Sequence, residues 1–511
     1  MIDRSAIRVL ADIPRAQAAA RPERVALAWE AQTLTYRQLA KRVAETADAL
    51  SSLGVKRGDR VAWLGRSCQY YHLLFFGLAE LGACLTPLNY RLSAAELEYI
   101  LRDSGAGLLF ATDDRITQAQ IAAARLDAPP TVIAIEQAYG QPGAGSPPAR
   151  EASADTDILQ LYTSGTTGHP KGVRLTNSAY SAFLELSPQV EGFNYDADDT
   201  VLIVMPLFHV AGFNVSTMGL AHGCRVILLD QFSPSEVLRL MAEERVAQVF
   251  LAPSMIQALL ADPLAASTDF SALKVIGYGA SPIAESTLRR AQETFGCGFV
   301  QFYGMTESAA AGSFLAPSAH TPDRLLSCGR AWPGTEMRIE RADGSEAAVG
   351  EVGEIVIRGP TLMAGYMNRA DATADTLRGG WLHTGDAGYR DADGFFYVHD
   401  RIKDMIVSGG ENVYPAEVEQ AIMGCPGVAD VAVIGVPSER WGEEVLALVV
   451  LEPQADATRA EIINWTRARI AGFKTPKSVQ FIEALPRNAS GKVLRRELRE
   501  PFWHGRERAV G

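Results

Sequence analysis

Residues 161–173 read LYTSGTTGHPKGV, a run of Ser, Thr and Gly followed by Pro170 and Lys171. Such a run has little apolar surface to bury, and its glycines destabilise helix and strand alike. Composition alone suggests a solvated linker. The flanks argue otherwise. Ile158, Leu159, Leu161 and Tyr162 precede the run and Val173 and Leu175 follow it, each set a short strand-like stretch. Between two strands, glycines let the backbone approach an anion and aim successive N–H groups at it. Ser164, Thr166 and Thr167 add hydroxyl donors, and Lys171 adds a positive charge. This is the chemistry of a polyphosphate loop. It is not the Walker type, which needs Gly-Lys-Ser/Thr, because Lys171 lies between Pro170 and Gly172.

Other reactive residue types carry less information by themselves. His209 is a lone histidine among apolar neighbours, a setting more typical of a packed residue than of a catalyst. From Ile462 onward there are 11 Lys or Arg against 4 Asp or Glu. That excess suits a solvated face as well as a surface that meets an acidic ligand.

The elements that must position these groups come from a chain of 511 residues, too long for one ordinary core. The mixture of 47% apolar and 21% charged residues is that of a globular protein. A balance of 48 basic to 60 acidic residues argues against a general nucleic-acid or anionic-membrane binder. The six cysteines are scattered, with no CxxC pair, as expected of buried thiols in a reducing cytoplasm. The opening MIDRSAIRVL has no long apolar run, so no secretory signal is expected, and no stretch approaches the ~20 apolar residues of a membrane span.

Strand-like and helical patterns alternate through much of the chain. RVAWLG (60–65), CLTPLN (84–89), TVLIVMPL, RVILLD and AQVFLAP read as strands; YYHLLFFGLAELGA (70–83) and SPSEVLRLMAEE read as helices. This βαβ rhythm predicts mostly parallel sheets covered by helices. From about Gly329 to Tyr397 the strands are short and punctuated by Gly and Asp-Gly, as in a small antiparallel barrel or sheet. Near Asp400 the pattern shifts again, to a small α+β unit in which Pro415 opens a helix. Residues 140–155, GQPGAGSPPAREASAD, read as an exposed loop.

A series of motifs resembles the adenylate-forming enzymes, which include acyl-CoA synthetases, firefly luciferase and the adenylation domains of nonribosomal peptide synthetases. They are YTSGTTGHPKGV (162–173), PLFHVAGFN (206–214), GYGASPI (277–283), FYGMTES (302–308), GWLHTGD (380–386), DRIKDMIVSGGENVYPAEVE (400–419) and PRNASGKVLRREL (486–498). LTYRQL (34–39) and PLNYRLS (87–93) resemble further landmarks. The resemblance spans nearly the whole chain. It implies an α/β fold: a large N-terminal AMP-binding domain, residues 1–399, with two βαβ subdomains and a small β-barrel. A mobile α+β lid, residues 400–511, would follow, with its hinge near Lys403.

The resemblance implies a reaction in two steps. A carboxylate attacks the α-phosphate of ATP, and a thiol, usually that of CoA, then takes the acyl group. By the same resemblance, Thr163, Ser164, Gly165, Thr166, Thr167, Gly168 and Lys171 hold the β- and γ-phosphates. Gly279, Ala280 and Gly304 lie along the nucleotide, Tyr303 stacks on adenine, and Thr306 meets the α-phosphate. Glu307 is implied as the Mg²⁺ ligand, Asp386 as the acceptor of both ribose hydroxyls and Arg401 as a second ribose or phosphate contact. Lys492 would bridge the reacting carboxylate and the α-phosphate, a task for a flexible ammonium. Gly409, Gly410 and Glu411 would line a pantetheine channel, and the basic C-terminal segment would meet the phosphates of CoA.

His209, Phe213, Asn214, Met218, Gly279, Ala280, Phe302 and Met305 are implied as the acyl pocket, with His209 a substrate-site residue and not a base. PLFHVAGFN lacks the aspartate of amino-acid-activating members and any Arg or Lys suited to a dicarboxylate. A fatty or aromatic monocarboxylic acid is the expected substrate, with ATP, Mg²⁺ and CoA. A separate carrier protein as acceptor, a luciferase-type oxygenase and a degenerate ATP- or acyl-binding protein stay open as alternatives. Intact Lys492, Glu307 and Asp386 argue against the last. The expected location is cytoplasmic, and a homo-oligomer is compatible with the sequence.

Overall fold

The computed structural model describes residues 2–138, 153–163, 170–409, 411–488 and 491–504. Two largely parallel sheets build a large N-terminal domain. One has nine strands, whose neighbouring members Thr200–Ile203, Gln248–Leu251, Val275–Gly279 and Gly298–Tyr303 run parallel. The first three are buried on both faces, which is why their sequences are nearly continuous apolar runs, while Gly298–Tyr303 is half-buried over its last three residues. The other has seven strands. Its parallel part is Cys84–Pro87, Arg60–Leu64, Leu108–Ala111 and Thr131–Ala134. Asp157–Thr163 runs parallel to Cys84–Pro87, and from there the sheet turns antiparallel through Lys171–Thr176 to the edge strand Gly365–Tyr366.

The helix Val210–His222 is buried along its whole length in the core shared by the two sheets. His209 caps it, its Nδ1 accepting from the Ala211 amide at 3.3 Å. The apolar stretch at 70–83 forms the helix Gln69–Leu81, also nearly all buried.

The short strands after Gly329 form a four-stranded antiparallel sheet in the order Glu336–Glu340, Gly353–Arg358, Leu382–Arg390, Phe396–Arg401. Its pairing follows an open path, so the expected barrel is an open sheet among the described residues. The outer edge of Phe396–Arg401 is already used. Phe396 exchanges backbone hydrogen bonds with Cys328 and Gly329, at 2.8 Å, in the chain that leads into the strand Arg330–Ala331 of the nine-stranded sheet.

A smaller C-terminal domain is built on a five-stranded sheet. Its long hairpin, Val428–Ser438 with Gly442–Leu451, is covered on both faces. Val431 and Val433 face the helices Pro415–Met423 and Arg459–Arg467, while Ala432, Ile434 and Val436 face the helix Arg495–Trp503. Successive residues of a strand point to opposite faces, so a strand covered twice needs an unbroken apolar sequence. That accounts for VADVAVIGVP.

Candidate active site

Thr163 and Lys171 face each other across the antiparallel hairpin, so residues 164–170 connect its paired ends. Ser164, Gly165, Thr166, Thr167 and Gly168 lie outside the described residues. Arg60 and Arg174 both pair with Asp157 at 2.8 Å and pin the far end of the hairpin. The Lys171 ammonium stands 4.8 Å from the centre of the Tyr366 ring. The Tyr366 hydroxyl donates to Glu307 Oε1 at 2.7 Å. Glu307 is buried in the turn Thr306–Ser308, beside buried Thr306, and its carbonyl accepts from the Met363 amide at 2.8 Å. Burial raises the Glu307 carboxyl above its ordinary range, opposed by the Tyr366 hydrogen bond and the charges of Arg401 and Lys171.

The second half of the cluster hangs on strand register. Asp386 and Arg401 are directly opposite in the pair Leu382–Arg390 and Phe396–Arg401, which puts their side chains together. Arg401 Nε lies 2.6 Å from Asp386 Oδ1, and the Tyr303 hydroxyl donates to Asp386 Oδ2 at 2.8 Å. Arg401 Nη1 also donates to the Thr384 carbonyl at 3.1 Å. Asp386 raises the pKa of the Arg401 guanidinium and holds it charged. The HTGD turn that carries Asp386 is fastened by Glu354. One of its oxygens accepts from the Gly385 amide at 2.9 Å, and the other lies 2.8 Å from His383 Nδ1.

Lys492 reaches this cluster from the small domain. Burial, helped by the charges of Arg401 and Arg495 and opposed by those of Asp386 and Asp404, lowers its pKa to about 8. Its backbone is held by a tight turn: Lys492 N–H donates to Asn488 Oδ1 at 2.9 Å, and Arg487 Nη1 donates to the Gly491 carbonyl at 2.6 Å. Gly491 has a φ of +84°, and a Cβ there would sit 2.7 Å from Ser254 Oγ. The chain just before Lys492 is therefore pressed onto the first turn of the helix Pro253–Ala261 in the large domain. Lys403 is half-buried in the turn Ile402–Asp404, and burial lowers its pKa.

Gly279 and Gly304 are required by backbone packing. A Cβ would come within 2.3 Å of the Phe302 carbonyl oxygen at Gly279, and within 2.5 Å of the Ala310 carbonyl oxygen at Gly304. Ala280, Ala309 and Ala310 adopt left-handed φ angles of 68°, 50° and 63°. Such conformations cost about 1 kcal/mol or more each and gather where a site is over-determined. The implied acyl-pocket residues divide. Phe213 and Met218 are fully enclosed in the core, Phe213 against Phe75 and Tyr180. Asn214 accepts from the Tyr180 hydroxyl at 3.0 Å and donates to the Ala309 carbonyl at 2.8 Å. Phe302 packs with Phe193, Phe250 and Trp332, and Met305 against the four-stranded sheet. Burial lowers the His209 pKa to about 4, so its ring is neutral near pH 7. Gly409 and Glu411 sit elsewhere, at the turn between Ile406–Ser408 and Glu411–Val413, where Gly409 underlies the Trp441 ring; Gly410 lies outside the described residues.

Sequence reasoning missed Tyr366, Glu354 and the groups around Asp400. Tyr366 follows a glycine in GPTLMAGYMNR, without a motif of its own. Only its pairing opposite Val173 brings it under Lys171.

The three cations Lys171, Arg401 and Lys492 and the acceptor Asp386 together suit a polyphosphate joined to a sugar diol. Among the described residues no group of three or more His, Cys, Asp or Glu could hold a metal. The buried carboxylate of Glu307, on the Lys171 side of the cluster, fits a Mg²⁺ ion shared with phosphate oxygens, since Mg²⁺ commonly takes one or two carboxylates plus substrate phosphates.

Comparison with known proteins agrees. A family model described as AMP-binding enzyme matches residues 14–367, and one described as AMP-binding enzyme C-terminal domain matches residues 417–492. A feruloyl-CoA synthase of Amycolatopsis is 41% identical over 486 residues, covering 94% of this chain and 96% of its own. A fatty acid–[acyl-carrier-protein] ligase of Streptomyces coeruleorubidus is 38% identical over 499 residues, with 96% and 95% covered. The o-succinylbenzoate CoA synthetase of Bacillus subtilis, solved with its acyl-adenylate intermediate, superposes with a TM-score of 0.85 at 32% identity, covering 95% and 97%. With both domains matched and the nucleotide-type cluster at their meeting point, the chain belongs to the AMP-binding enzyme family.

Proposed function

We propose that this AMP-forming acid–thiol ligase activates a hydrophobic monocarboxylic acid, a fatty acid ahead of an aromatic one, and passes the acyl group to CoA. The observation that carries the reading is the convergence of Lys171, Arg401 and Lys492 on the Asp386 and Glu307 carboxylates. In the first step a carboxylate oxygen bonds to the α-phosphorus of ATP and the bond to the β-phosphate oxygen breaks, releasing pyrophosphate. In the second, the CoA sulfur bonds to the acyl carbon and AMP leaves.

Lys171 and the loop 163–168 hold the β- and γ-phosphates. Tyr303 packs on the adenine, Asp386 accepts from the ribose hydroxyls, and Arg401 holds the Asp386 carboxylate in place. Thr306 meets the α-phosphate. Glu307 would hold Mg²⁺, which would neutralise phosphate charge. Lys492 approaches from the opposite side and draws the acid and the α-phosphate together. Such charged donors stabilise the transition state best in a site closed to water. His209, neutral, borders the acid. The acid's tail would run among Phe302 and Met305 and the enclosed Phe213, Asn214 and Met218. The resemblance implies a boundary at 399/400; because the strand Phe396–Arg401 runs on through that point, we place the boundary between nucleotide-binding unit and lid after Arg401, with the hinge near Lys403 and the second step served by Gly409, Gly410 and Glu411. The cytoplasm is the proposed location, supported by six cysteines that are all free thiols. No helix among the described residues is long and apolar enough to cross a membrane.

The similarity to a fatty acid–[acyl-carrier-protein] ligase favours, as a second reading, a carrier-protein thiol as acceptor. The similarity to a feruloyl-CoA synthase favours an aromatic acid. One experiment separates these readings: pyrophosphate release from Mg·ATP across acetate, medium- and long-chain fatty acids, benzoate, cinnamate-type acids and amino acids, with and without CoA. Release with fatty acids, accelerated by CoA and yielding a thioester, is the expected result. Release that ignores CoA supports the carrier-protein reading. No release with any acid would overturn the proposed function.

A further inference from the structure

We propose that Asp400 is a positioning residue for acyl-adenylate formation, acting through Arg495 to fix the segment that carries Lys492 against the nucleotide side of the site. The inference rests on the assignment of Lys492 to the acid-activating step.

Asp400 sits in the strand Phe396–Arg401 of the large domain's four-stranded sheet, next to Arg401. Alternation along a strand sends Arg401 to one side, toward Asp386, and Asp400 to the other. On that side its buried carboxylate meets the small domain. Oδ1 accepts from the Arg401 amide at 2.7 Å, and Oδ2 accepts from the Ala416 amide at 2.9 Å. Ala416 is in the first turn of the helix Pro415–Met423, whose N-cap, Tyr414, provides no side-chain cap. Asp400 thus satisfies from another domain an amide that the helix start leaves open, and its negative charge suits that end of the helix. The rings of His399 and Tyr414 stack alongside, 5.0 Å apart at 17°.

The same carboxylate faces Arg495. Arg495 Nη1 lies 3.5 Å from Asp400 Oδ1, and Arg495 Nη2 lies 2.7 Å from Glu419 Oε2. Arg495 is the first residue of the helix Arg495–Trp503, three positions after Lys492. The far end of that helix is anchored where Trp503 Nε1 donates to the Gly435 carbonyl at 2.9 Å, and Leu498 and Phe502 pack on the sheet. Arg499, one turn on, pairs with Asp404 at 3.0 Å. The lysine segment is therefore held at two points of the large domain: Gly491 on Ser254 and Arg495 on Asp400.

Every charged group around Asp400 bears on its state. Arg495 and the Arg401 amide favour its carboxylate, while burial, Glu419 and Asp404 oppose it, and the carboxyl is pushed up to about 6. Tyr414 faces it too, and its own pKa is raised in part by Asp400. Above about pH 6 the carboxylate pairs with Arg495; below it, the neutral acid does not.

The test is Asp400→Asn, which keeps the size of the side chain and removes its charge. ATP–pyrophosphate exchange and thioester formation from a supplied acyl-adenylate are measured separately, as is the pH profile of kcat/KM for ATP. We expect kcat for exchange to fall about tenfold or more, the cost of one charge-assisted contact. KM for ATP and the rate from supplied adenylate should stay within about twofold, because the nucleotide contacts are not altered. The acid limb near pH 6 should vanish. An equal fall in both half-reactions, or an unchanged exchange rate with the limb intact, would overturn the proposal. If Asp400→Asn does not fold, Arg495→Gln decides by the same comparison. Failure of the underlying functional reading would look different, since the wild-type protein itself would then show no pyrophosphate exchange with any of the acids.

Discussion

The two halves of the site are held in different ways. Lys171, Tyr366 and Glu307 stand on strands and a turn whose backbones are bonded into the seven-stranded sheet and its edge. Lys492 stands on a loop of the small domain, held to the large one by a glycine on Ser254 and by the charged contacts of Arg495 with Asp400. The first half is set by a core that does not depend on the small domain. The second depends on a few polar contacts, and polar contacts are worth about 0.5–3 kcal/mol each. A binding surface that must hold polyphosphate throughout gains from rigidity. A lysine needed in one step gains from a mounting that can be released.

Substitutions can break this comparison in order of size. Lys492→Ala should lower pyrophosphate release by about 10²–10³, the loss typical of one charge-stabilising donor, with ATP binding little changed. Asp386→Ala leaves the half-buried Arg401 beside an empty place, at a cost of about 1–3 kcal/mol shared between folding and nucleotide binding. Titration calorimetry with ATP should show affinity down by roughly 10–100-fold, with a lower melting temperature. Tyr366→Phe keeps the ring under Lys171 and removes the donor to Glu307. Affinity for Mg·ATP should fall by about 5–10-fold, the value of one ordinary net hydrogen bond of about 1 kcal/mol, while Mg-free ATP binding is little affected. An equal loss with and without Mg²⁺ would sink the assignment of Glu307.

The smallest effect is a pH limb. A lysine lowered to about 8 carries its charge below that pH and loses it above. The kcat/KM for ATP, which reports the free enzyme, should decline as pH rises through about 8, by tenfold per unit at the steepest. Lys492→Arg should remove that limb whatever its residual rate. His209, neutral above about 4, should add no limb between pH 5 and 8.

Much of this architecture is legible in sequence because burial leaves a pattern. The apolar runs at 200–203, 248–251 and 428–438 are strands covered on both faces, and the Ser/Thr/Gly run lies between the paired ends of a hairpin. Less is legible where function depends on register. Nothing local to Asp386 or Arg401 says that they are opposite partners, and nothing in GPTLMAGYMNR says that Tyr366 will lie under Lys171. Lys492 stands out from the other basic residues after 462 only through its resemblance to a known motif. The short Gly-punctuated strands suit a barrel or a sheet, and the barrel that the resemblance implies is an open sheet among the described residues, with Gly329 paired to Phe396 at its outer edge. A sequence reports which residues are apolar, but not which edge is already taken.

The central claim is that a rigid nucleotide half and a separately mounted Lys492 divide the work of two steps. The most direct test gives the Lys492→Ala protein a preformed acyl-adenylate and CoA and follows thioester formation. The account predicts a rate within about twofold of wild type from a protein whose pyrophosphate exchange is lost, since the second step does not use the lysine. A thioester rate that falls as far as the exchange rate, or an exchange rate that survives the substitution, would contradict it.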